Sequence, residues 1–213
     1  MALIYETTMH PTKLELLAEW LPAQPWFTGD AARIEPLGAY RFDDPEGEVG
    51  MEGHLLTAGD ERVYHVPVTY RGAGLEAGEA FLVGNSEHGI LGKRWVYDAA
   101  GDPVYRAVLA QTITQGGREA EEIGVTPAGE RYDRELHTRL RGSGEPGAPV
   151  PDLAAAVVTH AGSVSRAEAG LARLEVRRVL DPAFVEPAGT LTLRATWPGQ
   201  VMPVVVATLA VSA

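Results

Sequence analysis

The stretch from Arg33 to Tyr70 constrains the fold more than any other part of the chain. "ARIEPLGAYRF" opens strand material, and two further runs, "VGMEGHLL" and "RVYHVPVTYR", follow with only "AGDE" between them. So short a connection leaves no room for a helical crossover, and it predicts an antiparallel hairpin. Gly59-Asp60 is the natural centre of a tight turn. Centred there, residue 54 pairs with residue 65, which sets His54 directly opposite His65 with Glu52 one same-face step away. Two imidazoles and a carboxylate could bind Zn²⁺ or another divalent ion, so Glu52, His54 and His65 are the metal candidates. Most hairpins carry one solvated polar face, and that reading, with no metal, is preferred for these three residues.

The remaining segments supply a few helices and more strands. "HPTKLELLAEWLP" predicts a helix in which Pro11 suits the first position, Leu14, Leu17 and Leu21 share a face, and Pro22 ends the element. Trp26 and Phe27 follow immediately. Beyond a Gly-rich loop, "GAGLEAG", the runs "EAFLVG" and "GILGKRWVYDA" predict strands, and "PVYRAVLAQTITQGG" predicts a helix opened by Pro103 and closed at Gly116-Gly117. "LARLEVRRVL", "GTLTLRATW" and "VMPVVVATLAV" predict three strands, with turns at Asp181-Pro182 and Pro198-Gly199. The strands come in hairpin succession, so the expected class is α+β with a mostly antiparallel sheet flanked by a few helices. The expected organisation is a domain over residues 1–140, a Gly/Pro-rich linker or loop over 141–152, and a β-rich extension over 153–213 packed on the same core.

Composition sets the partners. The chain has 213 residues, 45% of them hydrophobic, enough to bury a sizeable core. Its 29 acidic and 18 basic side chains leave a formal net charge of -11. Phosphate backbones and anionic membranes are repelled by such a surface, so neither nucleic acid nor a membrane is an expected partner. There is no cysteine, hence no disulfide, thiolate metal site or cysteine nucleophile. No apolar run approaches the roughly 20 residues of a membrane span, and "MALIYETTMH" lacks the features of a signal peptide. A reducing cytoplasm fits this chain.

"RWVYDAAGDPVY" gathers three aromatic residues around two carboxylates and raises the question of a binding site. Trp95, Tyr97, Asp98 and Asp102 are the candidates for contacting a ligand or partner. Trp95 and Tyr97 share one face of a strand and read as core or interface. Asp98 sits where an Asx turn would end that strand, and Asp102 precedes Pro103, where a carboxylate caps a helix. As architecture, Trp95→Ala should cost about 3–5 kcal/mol and Asp102→Ala about 0.5–2 kcal/mol. Ser143 in "GSG" has no rigid support expected around it, and "YDRELH", with Asp133, Glu135 and His137, reads as a solvated charged face.

Taken in order, "ELLAEWLPAQPWF", "RFDDPEGEVGMEGHLL", "YHVPVTYRG" and "GILGKRWVYDAAGDPVY" resemble the N-terminal cap domain of actinobacterial maltokinases, over about residues 5 to 120. Those enzymes phosphorylate maltose with ATP on the route from trehalose to α-glucan. The resemblance implies a curved antiparallel sheet flanked by helices. The closing "ATWPGQVMPVVVATL" is similar to a tail found on stand-alone cap-like proteins. A kinase of that family resembles aminoglycoside phosphotransferases and needs a His-Gly-Asp catalytic loop. Here the only His-Gly, His88-Gly89, continues into Ile90. "GAGLEAG" lacks the spacing of a phosphate loop. Where kinase caps continue Trp-Phe with a small residue, Gly and a basic residue, this chain reads "WFTGD", so Asp30 alters the corner that packs on a kinase body. Similar proteins often carry a glucan-branching label, but a branching enzyme requires an eight-fold barrel of about 250 residues. The expectation is a non-catalytic, cofactor-free module of α-glucan, trehalose and maltose metabolism. It would act by association with a sugar kinase, a related enzyme or its own copies. The alternatives are a small carbohydrate-binding domain with an aromatic surface and an enzyme of unrecognised chemistry.

Overall fold

Hairpin succession does govern the chain. In the computed structural model, which describes residues 2–212, the strands in order are β1 (Ala2–Tyr5), β2 (Met9–His10), β3 (Ile34–Phe42), β4 (Gly50–Ala58), β5 (Val63–Arg71), β6 (Leu82–His88), β7 (Gly92–Asp98) and β8 (Glu122–Val125). They continue as β9 (Arg131–Asp133), β10 (Arg139–Gly142), β11 (Val157–Ala161), β12 (Val164–Ala169), β13 (Ala172–Arg177), β14 (Val179–Leu180), β15 (Leu191–Trp197) and β16 (Gln200–Val211). One sheet runs β2-β6-β7-β5-β4-β3 with β14 added on β5, a second runs β10-β15-β16-β13-β12-β11, and a third is β1-β8-β9. All pairings are antiparallel except β1 with β8, which joins Ala2 to Glu122 in parallel.

The α+β expectation is corrected toward mostly β. Among the described residues there are only two α-helices, α1 (Lys13–Trp20) and α2 (Pro103–Thr114), of 8 and 12 residues. Part of the difference lies in residues 157–169, whose mixed polar sequence hides the β11–β12 hairpin, and part in the short strands β1, β8 and β9. Among the described residues, no helix is long and apolar enough to cross a membrane.

Local chemistry explains both helices. Thr12, not Pro11, starts α1: its hydroxyl accepts from the Glu15 backbone while Glu15 accepts from the Thr12 N–H at 2.7 Å, a complete capping box. The buried face is Leu16, Leu17 and Leu21. Leu14 is 36% exposed, so the face read from Leu14 and Leu17 is rotated. Asp102 caps α2 ahead of Pro103, and Gly116, at φ 64°, lets the chain leave it.

The register of the central sheet divides the core in two. Strand residues alternate between faces, so Arg41, Glu52, His54, Leu56, Tyr64, Val66, Val68, Tyr70, Val96 and Arg94 share one face. At one end of this face, α1 and Trp26 pack on Leu56, Tyr64, Val66 and Val96. The opposite face carries Tyr40, Phe42, Met51 and Leu55, which join Tyr105, Leu109 and Ile113 of α2 and Leu174, Leu193 and Val206 of the second sheet in one larger cluster. Gly53 sits under the Tyr40 ring, where a Cβ would lie 2.1 Å from a ring carbon; a side chain there is excluded by contact.

The β4–β5 hairpin corrects the pairing expected for its histidines. His54 faces Val66, and His65 faces Leu55. The connection holds one residue more than a two-residue turn, because Asp60 accepts from the Arg62 backbone and from the Tyr64 hydroxyl at 2.8 Å and widens the loop. A one-residue change of register turns a side chain to the other face. His54 and His65 therefore lie on opposite sides of the sheet.

Residues 142–144 dock beneath the end of α2. The Gly144 N–H donates to the Ile113 carbonyl at 2.9 Å, and a Cβ on Gly142 would come within 2.0 Å of the Thr112 carbonyl oxygen. Ser143 is held as well, since its hydroxyl accepts from the Thr192 N–H at 2.8 Å, contrary to the lack of support expected for it.

Candidate functional site

The four residues singled out in "RWVYDAAGDPVY" are held mostly by internal partners. Asp98 accepts from the Arg178 guanidinium at 2.5 and 2.6 Å and from the Ala100 N–H, which is the Asx geometry read from sequence, with an added cation 80 residues away. Asp102 accepts from Val104 N–H, from Thr69 hydroxyl and, in a two-pronged ion pair, from Arg71 Nε and Nη2 at 2.7 Å each. The Tyr97 hydroxyl is buried and accepts from the Leu75 N–H. Trp95 is only half-buried, with the Lys93 ammonium 4.6 Å from its ring centroid, so the large cost expected for its removal needs revision.

Glu52, His54 and His65 are buried rather than solvated, which corrects the expected polar hairpin face. Among the described residues no group of three His, Asp or Glu side chains is placed to hold a metal ion. His65 instead accepts from the Tyr40 hydroxyl at 2.7 Å and, through Nδ1, meets the Arg177 carbonyl at 3.0 Å, so Nδ1 carries the proton. Burial drives its pKa down to about 3.

This produces a testable acid response. The unfolded chain protonates His65 below about pH 6.5, whereas the folded chain resists protonation until about pH 3. The unfolded state therefore binds more protons in that window, and stability falls as pH is lowered through it, by at most about 1.4 kcal/mol per pH unit from this group. Urea unfolding at a series of pH values should show the decline in wild type and a shallower one in His65→Gln. Parallel slopes would show that His65 is not the source.

Glu52 and His54 lead to a cleft that the sequence reading missed. Where α1 ends its cover of the sheet, the N-terminal segment from Ala2 to Thr7 passes over the exposed remainder and leaves a cavity of about 670 Å³. Lys13, Arg41, Tyr70, His88 and Arg94 line its sheet side. Lys13 Nζ lies 2.5 Å from Glu52 Oε2, Arg41 Nη1 lies 3.7 Å from the same oxygen, and His54 Nε2 lies 3.8 Å from it. Burial acts to raise the Glu52 pKa, but Lys13 and Arg41, joined by His54 when its ring is protonated, outweigh it and hold the carboxyl well below the usual range. Burial lowers His54, aided by Lys13 and Arg41 against the pull of Glu52, so its ring is neutral and its contact with Glu52 is not an ion pair near neutral pH.

The other rim is the loop from Phe42 to Gly50. Asp44 closes it by accepting backbone N–H bonds from Glu46, Glu48 and Val49 at 2.8 to 3.0 Å. Lys13, Arg41, Tyr70, His88 and Arg94 come from five separate elements, and each reads in sequence as a lone polar or aromatic residue. The available signal was the alternation of Arg41 and Arg94 with buried neighbours on strands facing α1.

The sheet that supports the cleft also carries the recognisable part of the sequence. The family model described as the maltokinase N-terminal cap domain matches residues 20–102. That stretch is cap-like. It runs from the end of α1 through β3, β4, β5, β6 and β7 to the cap of α2, so the cap-like region includes Arg41, Glu52, His54, Tyr70, His88 and Arg94. Lys13 and the β1 segment lie before the matched residues, and the six-stranded sheet lies after them. No curated protein matches the chain.

Proposed function

We propose that the chain is a non-catalytic, cap-like module that acts by association with a sugar kinase or a related enzyme of α-glucan, trehalose and maltose metabolism. The match over residues 20–102 to the maltokinase cap domain carries this reading. The partnering of the two carboxylates that end the cap-like stretch supports it. Asp98 is bound by Arg178 and Asp102 by Arg71, so neither is free to take a proton from a sugar hydroxyl, the task of a kinase catalytic aspartate. The compartment is a reducing cytoplasm, in keeping with a chain without cysteine.

Asp30 bears on how such a module meets its partner. Its carboxylate caps the short turn Ala31–Arg33 through the Ala32 N–H at 2.9 Å, and its own N–H reaches the Ala58 carbonyl. The corner is thus folded onto β4, and it presents an acid where kinase-borne caps have a base.

The reading is tested by affinity capture from native lysate with the tagged full chain, followed by mass spectrometry, and by light scattering of the pure protein. A sugar kinase or another α-glucan enzyme should be retained in stoichiometric amount. If the protein is a monomer and retains no such enzyme, the association reading fails. Sugar stacking on Trp95 is a second reading, favoured by the partial exposure of that ring. Lys93 already lies over the ring, so maltose should leave tryptophan fluorescence unchanged; saturable quenching would favour the carbohydrate-binding alternative instead.

A further inference from the structure

The 670 Å³ cleft under the N-terminal segment has the size of a small-molecule site and an unequal distribution of charge. On its sheet side stand three cations, Lys13, Arg41 and Arg94; Glu52, which does not line the cavity, pairs with Lys13 behind them. Arg94 donates to the Leu91 carbonyl within its own hairpin, and the Nε atoms of both Arg41 and Arg94 are buried without a hydrogen-bond partner. His88 adds a directed donor. Its Nδ1 accepts from the Ile90 and Leu91 N–H groups at 3.3 and 3.1 Å, so in the neutral ring the proton sits on Nε2. Burial first, then Arg94, Lys13 and Arg41, lowers the pKa of His88, which shows that the three cations act on one region. The acids of the opposite rim, Asp43, Asp44 and Glu48, keep their charge and turn an anion toward the sheet side. Asp44 is committed to three backbone N–H groups, Asp43 is also engaged, and Glu48 is exposed to solvent that screens it.

We propose that this cleft binds the phosphate group of a small phosphate monoester, with Arg94, Lys13 and Arg41 as its cationic contacts and His88 as a neutral donor. The match is local: the three cations and the His88 donor gather on the sheet side, away from the acids of the opposite rim, where a phosphate monoester carrying about -1.5 to -2 at neutral pH would be held. Arginine forks suit phosphate geometry, and the remaining volume admits the esterified part of the molecule against Tyr5 and Tyr70, which line the cavity. The site does not depend on the association reading, because every residue in it belongs to this chain.

The test uses the pure full chain with inorganic phosphate and glycerol phosphate, set against glycerol and sodium chloride at matched ionic strength. Isothermal titration and thermal melts should show saturable binding and stabilisation by glycerol phosphate, a weaker effect of inorganic phosphate, and none from glycerol or chloride. Arg94→Gln should weaken glycerol phosphate binding about tenfold or more, while Arg173→Gln, on the six-stranded sheet, should leave it unchanged. Lys13→Gln also removes the partner of Glu52 and could unfold that region, so Arg94→Gln is the deciding variant, with its unliganded melt confirming the fold. The proposal is overturned if neither phosphate probe binds at millimolar concentration, if chloride or glycerol stabilises equally, or if Arg94→Gln binds as wild type does.

Discussion

Asp98→Ala should destabilise the protein by about 3–5 kcal/mol. Arg178 is 0% exposed and spends its guanidinium on Asp98 and on the Ser165 hydroxyl at 2.7 Å. Removing the carboxylate leaves a buried cation with no water to replace its partner. Arg178 joins β13 to β14 and also holds Ser165 of β12, while Asp98 ends β7, so this pair fastens the six-stranded sheet to the central one. Arg178→Met should be costly for the mirror reason, and Asp98→Leu combined with Arg178→Met should recover part of the loss, since an apolar replacement of both partners leaves no uncompensated charge. For a chain of this size the single variants should melt roughly 6–20 °C earlier. Denaturant unfolding of the full double-mutant cycle would reject this account if Asp98→Ala cost under about 1 kcal/mol.

Asp102→Ala should cost about 2–4 kcal/mol and Trp95→Ala about 1–2 kcal/mol, the reverse of the order expected from the sequence. The carboxylate of Asp102 is 0% exposed and satisfies four donors at once, three of them on β5, so its removal unbinds the helix cap, Thr69 and Arg71 together. Arg71 keeps 19% of its side chain in contact with solvent, which is why the figure falls below that for Asp98. Trp95 is half-buried and loses only the contacts on one side of its ring. Melts of the two variants in which Trp95→Ala loses more stability than Asp102→Ala would contradict this assignment.

These two cases show where sequence is informative. The Asp102-Pro103 cap, the β4–β5 hairpin and the Pro198-Gly199 turn depend on residues next to each other, and each is legible. The Asp98 partner lies 80 residues away, and the β1–β8 pairing joins Ala2 to Glu122; neither leaves a local trace. The His54–His65 pairing failed by a single residue because turn length was inferred from Gly59-Asp60 alone, whereas the Asp60 side chain sets it. The cleft was illegible for the same reason as the ion pairs, its residues being brought together only by the sheet register and the N-terminal segment. The cap-like character of residues 20–102, by contrast, is legible in the order of short motifs along the chain.

A module that acts only by association, as proposed above, transfers no phosphate itself. Incubating pure protein with ATP, Mg²⁺ and maltose, glucose or glucosamine, and following both ADP and phosphorylated sugar, tests it most directly. No product should form above the protein-free control with any of the three sugars. Sugar phosphate formed in proportion to protein concentration would contradict it.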